Sequence, residues 1–519
     1  MFLRQALDRI HQFSADQLNG LSDLLCPELI NQCLEDTGVA TLRKRRLPME
    51  LMVWSIVGMS LYRHLSMSKV VSQLDILLPG KKPFVAPSAV IHARKKLGHE
   101  PVEAVFNQTQ RLCATVLLGI LPIKSALAGF SDPTIWMIAA AFFISRGFIS
   151  TGFGRRVGYW FISKLGHNSL GLAYGLVLTD LLFAPATPST TARCGGIIAP
   201  LFRSVAAAYD SDPEKGTQNR IGAFLVQCIF QCNAITCAMF LTSMAGNPLA
   251  AKFAAEQGVT ITWGGWALAA IVPGLVCLFV IPLAMYTFFP PELKKTPEMR
   301  AIASKNLAEM GKMSRDEWMV CITFLGMVTL WVLGPTLGIH ATVTALMGML
   351  FLLITKAISW DAVLGEKEAW HTITWFAVLV MMASELNKLG FIKWFGAMIG
   401  DSLAGYGWMA TLGILLLVYF YSHYLMASAM AHISAMYSAF LAIAIAAGAP
   451  AMLAAIVLGI FSNLYMSTTH YSSGPAPILF GTGFHSLKQW WKIGFVFTLI
   501  VIPIFFFIGG AWWKLIGLW

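Results

Sequence analysis

The feature that most constrains this chain is the recurrence of apolar segments at bilayer length through residues 113–519. They run at about 133–151, 168–184, 195–208, 219–243, 263–289, 317–335, 339–358, 371–386, 407–425, 434–449, 450–466 and 490–514. A bilayer core needs about 20 apolar helical residues, and several of these segments fall short of that. Polar, Gly- and Pro-rich stretches interrupt them. Lipid cannot satisfy bare backbone groups, so such breaks survive only against protein or a wet cavity. Short, interrupted segments in matching positions of two halves are the pattern of a secondary transporter. The chain is therefore read as all-α: a polytopic membrane protein with inverted repeats and two re-entrant hairpins, preceded by a small soluble helical domain.

Composition agrees, with 57% hydrophobic and 12% charged residues. That is about half the charge of a soluble protein, and it argues against an ordinary soluble enzyme. The charge is uneven: residues 1–112 hold 14 Lys/Arg and 10 Asp/Glu, and the other 407 residues hold only 23 and 16. Residues 1–112 read as several short helices, one from Pro27 to about Asp36 and one apolar stretch to Leu61 that is too short to span a bilayer. Their basic clusters, Arg43–Arg46, Lys81-Lys82 and Arg94–Lys96, fit phosphate-backbone contacts or a solvated face. Arg4, Asp8, Arg9 and His11 leave no signal-peptide core near the start. The nine cysteines show no paired metal-ligand spacing, and Cys228, Cys232 and Cys237 read as helix packing.

The two halves share a spacing. Trp136 to Ser189 is 53 positions, and so is Trp375 to Ser428. Each half then runs on to a second polar break, at Ser243–Pro248 and at Ser467–Pro477. The expected division is 1–112, 113–290, a linker at 291–316, and 317–519. The loop at 290–316 carries Lys294, Lys295, Arg300, Lys305, Lys312 and Arg315, whereas Gly334–His340 has no Lys or Arg. The positive-inside rule puts that basic loop in the cytoplasm, together with the N-terminal domain. By alternation, the two hairpins enter from opposite sides.

The candidate binding residues lie at the tips and breaks: Ser189, Thr190, Thr191 and Arg193; Asn247 and Pro248; Ser428 and His432; Thr469 and His470. Hydroxyls, free N–H groups and helix starts suit an anion, whereas a cationic substrate would want Asp or Glu. The same hydroxyls also serve as interhelical hydrogen bonds. Arg193 is costly at membrane depth unless it faces water, an anionic ligand or a partner such as Asp180. His432 and His470 are read as ligands or proton carriers, against purely structural histidines.

Two resemblances attach to these residues. Leu25-Cys26-Pro27-Glu28-Leu29-Ile30, Leu47-Pro48-Met49-Glu50 and Ala93-Arg94-Lys95-Lys96-Leu97-Gly98 resemble the N-terminal helical domain of insertion-element-four type transposases. No catalytic domain of that family follows, so the head is read as a DNA-binding remnant. The body resembles the divalent-anion:sodium symporter superfamily, in its citrate/tartrate:succinate and 2-oxoglutarate/malate exchanger branch. The motifs are Gly129-Phe130-Ser131-Asp132-Pro133-Thr134-Ile135-Trp136, Thr187-Pro188-Ser189-Thr190-Thr191-Ala192-Arg193-Cys194-Gly195-Gly196, Gly246-Asn247-Pro248-Leu249-Ala250 and Thr469-His470-Tyr471-Ser472-Ser473-Gly474-Pro475-Ala476-Pro477.

That resemblance implies tips that clamp substrate carboxylates and an elevator motion. It maps the family's tip triplet onto Ser189-Thr190-Thr191 and onto Ser428-Ala429-Met430, where Met430 departs from the expected hydroxyl. It also implies about three further helices before the Gly-Phe-Ser-Asp-Pro motif. Here only Leu112–Pro122 stands for them, and the head takes their place. The expected activity is exchange of di- and tricarboxylates of the citrate, succinate, malate or tartrate class across the bacterial inner membrane, with no enzymatic activity. The alternatives are sodium-coupled symport and a transport-dead fusion. No cofactor or metal is expected, sodium as a coupling ion aside. The expected partners are small carboxylate anions, the lipid bilayer, a second copy of the chain and, for residues 1–112, DNA.

Overall fold

The computed structural model describes residues 121–391, 394, 398 and 407–519. The chain divides into two compact units, Met1–Phe130 and Ser131–Trp519. The helices and basic clusters expected in the head, and most of Leu112–Pro122, lie outside the described residues. The described part of the first unit holds one short helix, Ile123–Ala126, and a 3-10 turn at Ala128–Ser131.

In the second unit, all named elements among the described residues are helical, and one isolated bridge pairs Asn168 with Lys295. Among the described residues, nine helices are long and apolar enough to cross a membrane by length and composition.

Helix α1 (Pro133–Ser150) opens at Asp132, whose carboxylate accepts from Thr134 N–H at 2.9 Å. Pro133 takes the first helical position, where a missing N–H costs nothing. Gly152, with φ of 80°, turns the chain into α2 (Phe153–Leu165). Asn168 caps α3 (Ser169–Phe183), and a 3-10 turn at Ala184–Ala186 leads to the first tip. The chain then returns through α4 (Thr190–Arg193), a π turn at Cys194–Ile198 and α5 (Ala199–Ala208). Helix α6 (Gly222–Met239) is wholly buried; it breaks, and α7 (Gly246–Glu256) follows. Helix α8 (Trp263–Phe288) closes this half.

The basic linker carries α9 (Pro297–Glu309). It is pinned to α2 by Arg156, which donates to both Glu317 oxygens at 2.6 and 3.0 Å and to the carbonyls of Met310, Gly311 and Lys312. Ser314 and Glu317 form a reciprocal cap at the start of α10 (Arg315–Leu337). Helices α11 (Ala341–Ile354) and α12 (Trp360–Leu364) lead to α13 (Lys367–Lys388).

The second half repeats the element order of the first. Gly390, with φ of 78°, follows α13 as Gly152 follows α1. Helix α14 (Trp408–Tyr421) ends in a 3-10 turn at Ser422–Leu425, a tip, α15 (Ala429–His432), a π turn at Ile433–Tyr437 and α16 (Ser438–Ala446). Helix α17 (Ala451–Leu464) breaks before α18 (Pro475–Phe480). Helix α19 (Leu487–Pro503), a π turn and α20 (Gly510–Leu515) end the chain. One sequence expectation shifts: the apolar segment read as starting at residue 195 is helical from Thr190. Hydropathy hid that first turn because it contains Arg193, whose charge the fold neutralises.

Candidate functional site

The tips are built alike. Ser189 and Ser428 are both N-caps, accepting from Ala192 N–H at 3.0 Å and from Ala431 N–H at 3.3 Å. Both stand in extended backbone between a 3-10 turn and a four-residue helix. Capping satisfies donors that the helix itself leaves open.

Each tip packs against the break of the other half. A Cβ placed on Gly474, in the second break, would lie 2.1 Å from Thr191 Oγ1 of the first tip. A Cβ on Gly246, in the first break, would lie 2.5 Å from Ile433 Cδ1 and 3.2 Å from Met430 Sδ, beside the second tip. Each break is also tied to its own hairpin. Thr242 Oγ1 donates to the Pro185 carbonyl, and Tyr471 donates to the Tyr424 carbonyl at 2.7 Å. Tips and breaks therefore form one crossed assembly of four interrupted backbones.

Asn247 seals the first break. Its Nδ2 donates to the carbonyls of Cys237 and Phe240 at 2.8 and 2.9 Å, which the end of α6 leaves open. Its Oδ1 accepts from Asn463 Nδ2 at 2.7 Å, linking the first break to α17. Pro248 is buried in the first turn of α7. Thr469 is fully buried, with its N–H donating to Ser472 Oγ at 3.3 Å. His470 is half-buried, and its Nδ1 accepts from Trp491 at 3.2 Å.

Arg193 is a brace. Fully buried, it pairs with Asp180 of α3 at 2.8 Å. It donates further to the carbonyls of Thr187 and Ser243 at 2.8 and 3.0 Å, to Thr236 Oγ1 at 3.4 Å and to Cys237 Sγ at 3.0 Å. Those acceptors use all five guanidinium N–H bonds, which leaves none for a ligand. Asn233 and Thr236 of α6 complete the Asp180 carboxylate. A lone charge at the centre of a membrane helix costs about 2.5–3.5 kcal/mol on insertion scales, so this pairing is what lets Arg193 stand here.

The positions 239 residues on are Tyr419 and His432, and they carry neutral groups instead. His432 is fully buried, stacked on Tyr419 with ring centroids 4.6 Å apart, and its Nε2 meets Ser422 Oγ at 3.0 Å. His423, which the sequence reading passed over, stacks on Tyr465 at 4.0 Å. Its Nε2 meets the Ser472 carbonyl at 2.9 Å, tying the second hairpin to its break.

No Asp, Glu, Lys or Arg falls within residues 187–191, 242–248, 426–430 or 467–475. Several buried polar atoms around the assembly have no hydrogen-bond partner among the described residues: Thr187 Oγ1, Thr469 Oγ1, Asn463 Oδ1 and one ring nitrogen each of His423 and His432. Such atoms are costly in a dry interior and mark places where a polar ligand is welcome. Two observations qualify the expected picture. Ser189 is buried but Ser428 is exposed. A carboxylate does reach the first tip, because Ser189 Oγ donates to Glu368 Oε2 at 2.7 Å. A cavity of about 480 Å³ lined by Trp408, Leu412, Phe461, Phe505 and Trp513 is apolar and includes no tip or break residue.

Apolar helices of crossing length, interrupted twice in each half around a polar assembly, define a multi-pass membrane transporter rather than an enzyme. Residues 100–519 match the family described as the sodium:sulfate symporter transmembrane region, and the chain belongs to that family. Residues 15–107 match the N-terminal domain of the insertion element 4 transposase. The chain is 51% identical over 409 residues to the putative malate transporter YflS of Bacillus subtilis, covering 79% of this chain and 86% of that protein. It is 46% identical to the chloroplastic dicarboxylate transporter 1 of Spinacia oleracea, over 79% of this chain and 72% of the relative. The inner membrane protein YbhI of Escherichia coli is 38% identical, over 77% and 84%.

Proposed function

We propose that the chain is a secondary transporter that exchanges di- and tricarboxylates of the citrate, succinate, malate or tartrate class across the bacterial inner membrane. The observation that carries the reading is the crossed assembly: two tips and two breaks furnished with neutral hydroxyl, amide and imidazole groups, several of them buried and unpartnered. Such a cradle offers hydroxyl, amide and imidazole donors to carboxylate oxygens, and its tip and break residues carry no charge, although Glu368 of α13 reaches Ser189. Ser189, Thr190, Thr191, Thr469 and, from the second tip, Ser428 and His432 are the binding residues of this reading, while Asn247 spends both amide N–H bonds on the Cys237 and Phe240 carbonyls and holds the first break in shape. Arg193 braces the first tip instead. The names of the relatives, a malate and a dicarboxylate transporter, agree with the substrate class.

The repeated element order supports two structural repeats, the loop charges support hairpins entering from opposite sides, and an elevator movement is what the family resemblance implies. The basic linker supports a cytoplasmic side for residues 290–316. The family's description favours one second reading, sodium-coupled uptake, for which breaks rich in carbonyls and hydroxyls also suit. Residues 1–112 are read as a transposase-derived, DNA-binding remnant fused to the transporter.

Proteoliposomes loaded with succinate test the function. Uptake of labelled malate or citrate driven by internal succinate supports exchange, and uptake that needs a sodium gradient without internal anion supports symport. No uptake above empty vesicles in either format rejects both.

A further inference from the structure

Among the described residues, Glu368 is the carboxylate hydrogen-bonded to a tip side chain. It stands in the first turn of α13, 179 positions from Ser189, and is exposed whereas Ser189 is buried. Ser189 Oγ already accepts from Ala192 N–H at 3.0 Å and gives its proton to Glu368 at 2.7 Å. A serine hydroxyl has one proton. While Glu368 holds it, Ser189 can offer an arriving carboxylate only lone pairs, and the Glu368 charge adds like-charge repulsion.

We propose that Glu368 is an internal occupant of the anion site, a carboxylate that holds the first tip until a substrate carboxylate displaces it. The inference rests on the dicarboxylate reading above. Displacement breaks one hydrogen bond and forms an equivalent one, with no covalent change. The Glu368 side chain is already exposed, so it can leave Ser189 without being drawn out of a buried pocket. Glu366, two residues earlier, pairs with Arg146 at 3.9 Å, and its carboxylate and that of Glu368 repel each other. Glu368 thereby sets specificity. Every ligand must overcome the same occupant. A dicarboxylate recovers that cost through its second carboxylate, and a monocarboxylate does not.

The test is counterflow of labelled succinate by the full chain in proteoliposomes, comparing wild type with Glu368→Gln and Glu368→Ala. Removing a competing hydrogen bond worth about 1 kcal/mol should lower the half-saturating succinate concentration about fivefold, by the relation of 1.4 kcal/mol per tenfold. It should also let acetate compete where it does not in wild type. Glu368→Gln keeps an acceptor without the charge and should fall between the two. Succinate-dependent thermal stabilisation in detergent gives the same ranking independently of transport rate. An unchanged or raised half-saturating concentration in a transporting Glu368→Ala protein overturns this inference alone. If wild type and both variants neither transport nor bind any carboxylate, the dicarboxylate reading fails, and this inference with it.

Discussion

Replacing Asp180 by Asn would leave Arg193 a neutral acceptor at that position and no compensating charge. Arg193 is fully buried, with its Nε 2.8 Å from Asp180. Removing one member of a buried pair costs about 3–5 kcal/mol, because the surviving charge stays in a medium of low polarity. Arg193→Met should be comparably severe. Asp180 would keep its bonds from Asn233 and Thr236, but the carbonyls of Thr187 and Ser243 would lose their donor. Each such buried group left open adds about 1–3 kcal/mol. The double variant, Asp180→Asn with Arg193→Met, buries no charge and should recover part of the loss. The assay is the thermal decay of the monodisperse peak in detergent, by size exclusion after heating. Melting of Asp180→Asn equal to wild type, or a double variant no better than the worse single one, would refute the brace.

Gly474→Ala puts a Cβ 2.1 Å from Thr191 Oγ1, which must rotate away from the break, so it should weaken succinate counterflow while the protein still reaches the membrane; unchanged counterflow would show that the Thr191 hydroxyl position does not matter for transport. Burial pushes the Glu366 carboxyl above its usual range, with Arg146 partly opposing it. The neutral form is therefore favoured by the fold, and its stabilising contribution is full below the ordinary carboxylate range and fades as pH rises through the raised value. Glu366→Gln should flatten that decline in melting temperature between acid and neutral pH, and an unaltered pH profile would contradict it.

The tips were legible because a polar run inside apolar sequence leaves few explanations. Hydroxyls placed 53 positions after matching tryptophans located Ser189 and Ser428, and both stand as caps. The choice between a ligand and Asp180 for Arg193 was open from sequence, since either relieves a buried charge. The structure takes the partner thirteen residues earlier. What stayed hidden depends on long-range contact. Glu368 lies beside Glu366 and Lys367 and reads as an ordinary charged helix start; nothing local points to Ser189. His423 and Asn463 carry no motif, yet one ties the second hairpin to its break and the other joins α17 to Asn247. The π turns after both tips were equally silent, because Cys194–Ile198 and Ile433–Tyr437 share no residue pattern that marks a wider turn.

The most direct measurement is whether purified full-length protein, reconstituted into vesicles filled with succinate, draws in radiolabelled malate. Uptake that rises with internal succinate and vanishes in vesicles loaded with chloride is the expected result. Equal traces in protein-containing and protein-free vesicles, from a preparation that is folded and monodisperse, would contradict the reading of this crossed polar assembly as a carboxylate cradle.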